Sequence, residues 1–232
     1  MSTATKSRVD TAYQRLREHL AYLGLSTAAE ELAPALDRAT KQKLSPIEVL
    51  EDLLAKEAEA TRARRLHGRL RFAHYPLRKT LADFEFDYQP SVDRKVFGEL
   101  SSLRFVEERR NVLLLGPPGV GKTHLAISLG IAATEAGYRT YFTTASDLVS
   151  SLQSAHLEGN ATAKMRTFTG PSVLVVDELG YLPMTRSFGA TRSTTTLSAP
   201  TEVWIFELQL EPSGGRSHPT RHAFVGSISS AA

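Results

Sequence analysis

Val112-Leu113-Leu114-Leu115-Gly116-Pro117-Pro118-Gly119-Val120-Gly121-Lys122-Thr123 decides how the rest of the chain is read. The apolar run predicts a strand ending at Gly116. A glycine-rich turn follows, and Lys122-Thr123 opens a segment with helical spacing. The pattern G-x-x-x-x-G-K-T is that of a phosphate-binding Walker A loop. Glycines let successive backbone N–H groups fold around a phosphate chain without Cβ clashes. The helix N-terminus behind them adds partial positive charge where the anion sits. Gly116, Pro117, Pro118, Gly119, Val120, Gly121, Lys122, Thr123 and His124 are therefore expected to bind a nucleotide. The Lys122 ammonium would reach the β- and γ-phosphates, a catalytic role, and the Thr123 hydroxyl would ligate Mg²⁺. The plainer alternative is a strand-turn-helix with a stray lysine.

Towards the C-terminus, helix Lys122 to Ala136 is closed by Gly137, and a second strand covers Arg139 to Thr143. Thr144-Ala-Ser-Asp147 has capping-box-like spacing and starts a helix through Leu148 and Leu152. Asn160 is a candidate cap for another short helix before Gly170-Pro171. Val173-Leu-Val-Val176-Asp177-Glu178 then reads as a strand buried on both faces with two acids at its carboxyl end. Ligands of open α/β sheets bind at that end. Following a Walker A loop with strands and helices between, the pair reads as a Walker B site. Asp177 would hold Mg²⁺ through water, and Glu178 would orient and polarise the water that attacks the γ-phosphate. Together the two segments predict an Mg²⁺-dependent ATP site. Strands alternating with helices predict an α/β fold, a P-loop NTPase parallel sheet with helices on both faces.

Towards the N-terminus the pattern turns helical. Tyr13, Leu16, Leu20 and Leu23 share one face, and Gly24 is a stop signal. Thr27-Ala-Ala-Glu30 has capping-box spacing, and Pro34 is expected to kink the second helix or delay its start. Ser45-Pro46-Ile47-Glu48 is a stronger start, with Ile47, Leu50, Leu54 and Ala58 continuing the stripe. The last part is basic: Arg62, Arg64, Arg65, Arg69 and Arg71, then Arg78 and Lys79, with no acid between Arg62 and Lys79. It is either a solvated helix face or a surface that contacts nucleic-acid phosphates. Leu81 to Tyr88 alternates aromatics and predicts an extended segment, and Ser91 to Leu103 predicts a helix. The expected organisation is a helical N-terminal domain over 1–79, a nucleotide-binding core over 80–184 and an irregular tail over 185–232.

The composition agrees with these assignments. The chain has 232 residues, 41% of them hydrophobic and 23% charged, as in a soluble globular protein. No apolar run is long enough to cross a bilayer, and the polar start carries no secretory signal. Cysteine is absent, which excludes disulfides and thiolate chemistry and fits a cytoplasmic location. A net charge of +3 makes the distribution of charge more informative than its total.

Gly116 to Thr123 followed by Asp177-Glu-Leu-Gly-Tyr-Leu-Pro183 resembles the IstB-type helper ATPases of bacterial insertion sequences, AAA+ proteins related to helicase loaders. The resemblance runs from about Leu16 to Met184 and includes Leu44-Ser45-Pro46 and Phe84-Glu-Phe86-Asp87. It implies ATP-bound subunits that self-assemble along DNA, largely without regard to sequence, and stimulate a transposase, with hydrolysis resetting the assembly. It also implies that Phe84 to Tyr88 border the adenine. A helicase loader of the DnaC type, a DNA-binding module with a vestigial nucleotide site and a metabolic P-loop kinase are the alternatives.

After Met184 both the periodicity and the resemblance stop. Thr185 to Thr196 is rich in Ser, Thr, Arg and Gly, Glu202 to Leu210 has the composition of a strand, and Pro212 to Pro219 is turn-like. The expected cause is a reading-frame change shortly after Met184, with a divergent native C-terminus as the alternative. A sheet lacking its later strands, with Val173–Val176 or its neighbour partly uncovered, and weak ATP turnover are the expected consequences. None of Arg186, Arg192, Arg216 and Arg221 can be assigned as a finger for a neighbouring subunit.

Overall fold

The computed structural model describes residues 3–88, 92–178, 203–209 and 224–228. The chain groups into two compact units, Met1–His67 and Gly68–Ala232. No helix among the described residues is long and apolar enough to cross a membrane.

The first unit is built on α1 (Thr3–Tyr22), α2 (Ser26–Gln42) and α3 (Pro46–Ala73), the last of which continues past His67. Gly24, at φ 75°, ends the first helical run as the sequence predicts. The box that starts α3 also forms. The Ser45 N–H donates to Glu48 Oε2 at 2.7 Å, and the Glu48 N–H points back to Ser45 Oγ at 3.4 Å. The box expected at Thr27 does not form. Helix α2 begins one residue earlier, and Leu25 at its cap position supplies no side-chain bond. Its first turn is capped from a distance instead. Glu57, only 3% exposed, accepts the Ala28 N–H at 2.9 Å, and the Thr27 hydroxyl accepts from Arg64 at 3.3 Å. Pro34 lies inside α2 rather than delaying its start. Leu20, Ala28, Ala29, Leu32, Ala35 and Leu53 form the core, alanines allowing close helix contact.

In the second unit the segment expected to be extended forms two 3-10 turns, Leu81–Asp83 and Phe86–Tyr88. The cause is local. Asp83 Oδ2 accepts both the Thr80 N–H at 2.7 Å and the Thr80 hydroxyl at 2.8 Å, closing a capping box. The single helix expected from Ser91 to Leu103 is two, α4 (Arg94–Ser101) and α5 (Arg104–Glu107), separated by Leu103 at φ 62°. The Ser101 and Ser102 hydroxyls donate to the Phe97 and Glu99 carbonyls, the local competition by which serine loosens a helix end.

The rest is β1 (Asn111–Gly116), α6 (Lys122–Glu135), β2 (Thr140–Thr144), α7 (Ala145–Leu157), α8 (Ala161–Thr169), β3 (Val173–Asp177), β4 (Val203–Gln209) and β5 (Phe224–Ile228). Thr144 caps α7, its hydroxyl accepting the Asp147 N–H at 3.1 Å. Asn160 precedes α8, but its side chain donates to Glu158 instead of capping. The sheet order is β2-β3-β4-β1-β5, with four parallel strands and an antiparallel β5 on the outer edge of β1. Helices cover both faces. Val173 and Val175 join the cluster with Leu125, Leu129 and Phe97, while Leu174 and Val176 join Ala145 and Phe168. Alternate residues of β3 thus enter two different cores, so the whole strand is apolar.

The expectation that the sheet lacks its later strands is corrected here. Val203–Gln209 inserts between β1 and β3, pairing Ile205 with both Val112 and Val175. The apolar run Val203-Trp204-Ile205-Phe206 has strand character, but strand order depends on non-local pairing that composition does not encode. The Leu179–Pro183 extension and Arg186, Arg192, Arg216 and Arg221 lie outside the described residues.

Candidate nucleotide site

Strands β1 and β3 run parallel with β4 between them, so both motifs leave the sheet at the same edge. The register sets Gly116 opposite Gln209 of β4. From Gly116 the chain turns through Pro117, Pro118, Gly119 and Val120 into α6. Gly119 and Gly121 have φ of 79° and 86°, a left-handed conformation open to glycine at little cost. Val120, 3% exposed, anchors the turn in the protein interior.

Lys122 is the first residue of α6 and only 4% exposed. Its Nζ donates to the Pro117 carbonyl at 2.9 Å, so the ammonium is held back across its own loop. Thr123 follows, and its hydroxyl donates to Asp177 Oδ1 at 3.4 Å across 54 residues of sequence. Asp177 ends β3 and is 4% exposed. The same oxygen accepts the Glu178 N–H at 3.0 Å. Glu178 is exposed and sits at φ 59°, where a side chain costs about 1–2 kcal/mol. That left-handed turn stops the strand at Asp177.

The donor set fits magnesium. A hydroxyl and a carboxylate converge, both hard oxygen ligands, and Mg²⁺ bound to phosphates needs only one or two protein ligands. Among the described residues no group of three or more His, Cys, Asp or Glu is gathered for a metal.

His124 is engaged with the segment that precedes the loop strand. Its Nε2 lies 3.0 Å from the Thr80 carbonyl, and since a carbonyl only accepts, Nε2 carries the proton. Phe84 meets the His124 ring edge-on at 5.2 Å and is 8% exposed. A Cβ built on Gly121 would stand 2.7 Å from Phe84 Cε2. No local pattern signals this aromatic support of the loop, because the partners lie 37 and 40 positions apart.

The basic residues divide. Arg64 pairs with the buried Glu57 at 2.6 Å, and Arg69 Nε donates to the Thr134 carbonyl at 3.2 Å. Arg62, Arg65 and Arg71 are exposed. An apolar groove of about 640 Å³ between α7 and α8, lined by Val149, Leu152, Leu157 and Met165, shares no residue with the phosphate loop.

Comparison with known proteins adds an independent line. Residues 18–192 match the family model of IstB-like ATP binding protein. The chain is 42% identical over 171 residues to the protein named for ATP binding in insertion sequence IS5376 of Geobacillus stearothermophilus, covering 74% of this chain and 68% of that one. It is 36% identical over 173 residues to the IS232 counterpart of Bacillus thuringiensis subsp. berliner, covering 75% and 69%. With the IS21 counterpart of Pseudomonas aeruginosa it is 42% identical over 169 residues, covering 73% and 61%. Among solved structures it is similar to AMPPCP-bound DnaA from Aquifex aeolicus, at 21% identity and a TM-score of 0.40 over 57% of this chain and 42% of that one. That likeness is too loose to bear on function.

Proposed function

This chain belongs to the IstB-like ATP binding protein family, and we propose that it is an ATP-driven, DNA-binding helper that assists a transposase in selecting its target. The observation that carries this reading is the approach of Thr123 to Asp177, which joins the phosphate loop to the acid of a distant strand. In the proposed site the amides of Gly119 to Thr123 and the Lys122 ammonium hold the triphosphate. Thr123 and Asp177 hold Mg²⁺, Asp177 through water. When bound, the cation supplies positive charge to the phosphate oxygens. Glu178 accepts a proton from the attacking water as its oxygen bonds to the γ-phosphorus and the β–γ bridging bond breaks.

Arg62, Arg65 and Arg71, all exposed, are the residues proposed to meet DNA phosphates, since Arg64 is engaged with Glu57 and Arg69 with the Thr134 carbonyl. Such contacts give binding that is largely indifferent to sequence. Insertion-sequence relatives favour a transposase over a helicase as the partner. ATP-linked self-assembly and a cytoplasmic location complete the reading.

The experiment is duplex DNA binding by fluorescence anisotropy with and without Mg²⁺-ATP. The native chain should bind more tightly with nucleotide, and Lys122→Ala should remove that difference. Equal binding in all four conditions would refute the coupling. Retention of the chain by the transposase of the same element, and not by a replicative helicase, tests the partner.

A further inference from the structure

Phe84 is 8% exposed and packs against the phosphate loop at Gly121. Its ring lies where a Cβ on Gly121 would fall, 2.7 Å from Cε2 and 3.3 Å from Cζ. The ring is braced edge-on by His124 at 5.2 Å and by Phe86 at 4.7 Å. His124 in turn donates from Nε2 to the Thr80 carbonyl at 3.0 Å. That carbonyl also accepts the Asp83 N–H at 3.1 Å and so belongs to the Thr80–Asp83 box, which fixes the turn carrying Phe84. The result is a closed circuit from the loop, through His124, the Thr80 turn and Phe84, back to the loop.

We propose that Phe84, latched by His124 and Thr80, is a positioning residue for the phosphate loop, setting the backbone of Gly121 so that the loop amides converge on the triphosphate whatever base it carries. The inference rests on the nucleotide site proposed above and adds how that site is held. Two features of the chain follow from it. Residue 121 has to be glycine for reasons of space as well as of its φ of 86°, because the ring occupies the volume of any side chain. The capping box at Thr80 contributes to nucleotide affinity although it contacts no phosphate, because it aims the ring.

The test separates a phosphate role from a base role. Binding of Mg²⁺-ATP, Mg²⁺-GTP and Mg²⁺-tripolyphosphate is measured by calorimetry on the native chain, Phe84→Ala, Phe84→Leu and His124→Ala, with folding checked by circular dichroism. Phe84→Ala should weaken ATP and tripolyphosphate by the same factor, on the order of tenfold, as a small displacement of a positioning group does. Phe84→Leu, which refills most of the volume, should recover a large part of it. His124→Ala should weaken both ligands in the same proportion as each other. A loss confined to ATP and GTP with tripolyphosphate unaffected, or a changed ATP-to-GTP ratio, would overturn the proposal in favour of base contact. Unchanged affinities in folded Phe84→Ala would overturn it outright. A reciprocal arm guards against misfolding. Gly121→Ala should weaken tripolyphosphate binding, and adding Phe84→Ala should then cost much less than it does in the native chain, because the ring no longer sets the loop; a full further loss, as large as in the native chain, counts against the proposal. If the native chain bound none of the three ligands, the nucleotide site itself would fall, a result distinct from a failure of Phe84 alone.

Discussion

Replacing Ile205 by alanine tests the least expected part of the fold, a strand from the chain's tail lodged between the two motif strands. Ile205 is fully buried and faces Val112 on one side and Val175 on the other. Ile→Ala removes three carbon groups, worth about 0.8 kcal/mol each, or roughly 2.4 kcal/mol of transfer free energy. The cavity left between β1 and β3 adds to this, giving about 3–4 kcal/mol, within the range for large-to-small core changes. Against a total of about 5–15 kcal/mol, that is a large fraction of the stability. The assay is urea unfolding followed by circular dichroism. With a slope of about 2 kcal/mol per molar, the midpoint should fall by about 1.5–2 M with the slope unchanged. Leu157→Ala is the control: Leu157 is 87% exposed, so its change should stay within about 0.5 kcal/mol. A loss at Ile205 no larger than at Leu157 would refute the placement of β4, and the sheet would then end at β1 and β3.

Other outcomes follow from individual contacts. Glu178→Gln should leave Mg²⁺-ATP affinity nearly intact while lowering steady-state turnover by about 10²-fold or more, and equal losses in both would assign Glu178 to binding instead. Arg62→Ala with Arg65→Ala should reduce the salt dependence of DNA binding by about two in log–log slope, roughly 0.9 per phosphate contact; an unchanged slope would make them a solvated face. Acid sensitivity should be visible in the helical unit. The Ala28 N–H, and after it the Arg64 and Thr61 side chains, hold the Glu57 carboxyl below its usual value of 4.5. The stabilisation is therefore complete above that value and is lost as pH falls through the lowered one, so Glu57→Gln should flatten the acid limb of the melting curve. An acid limb as steep in Glu57→Gln as in the native chain would place the titrating group elsewhere.

Local signals in the sequence were enough wherever the structure is locally determined. Ser45-Pro46-Glu48 predicts the start of α3 and its reciprocal hydrogen bonds, and Thr144-Asp147 predicts the cap of α7. Gly24 and Gly137, both at positive φ, follow the ends of helical segments. The Val173–Val176 run predicts a strand with two buried faces, and two separate clusters receive its side chains. Misreadings arise where a distant group takes over a local role. Thr27 has the spacing of a cap, yet Glu57 from another helix satisfies the α2 N-terminus. The aromatic alternation of Phe84 and Phe86 imitates a strand, whereas the Thr80–Asp83 box winds that segment into turns. At the candidate site the motif letters name Lys122, Thr123 and Asp177. The 3.4 Å approach across 54 residues, the left-handed Glu178 and the ring of Phe84 behind Gly121 are properties of the folded chain.

The central claim is that one turn and one distant strand end together bind a magnesium triphosphate, and titration with a fluorescent ATP analogue tests it most directly. Folded native chain should give a saturable signal that strengthens with Mg²⁺. Lys122→Ala should weaken it by about 10²-fold, and Asp177→Asn should abolish its dependence on the cation. No saturable signal from folded native protein, or Lys122→Ala binding as tightly as the native chain, would contradict it.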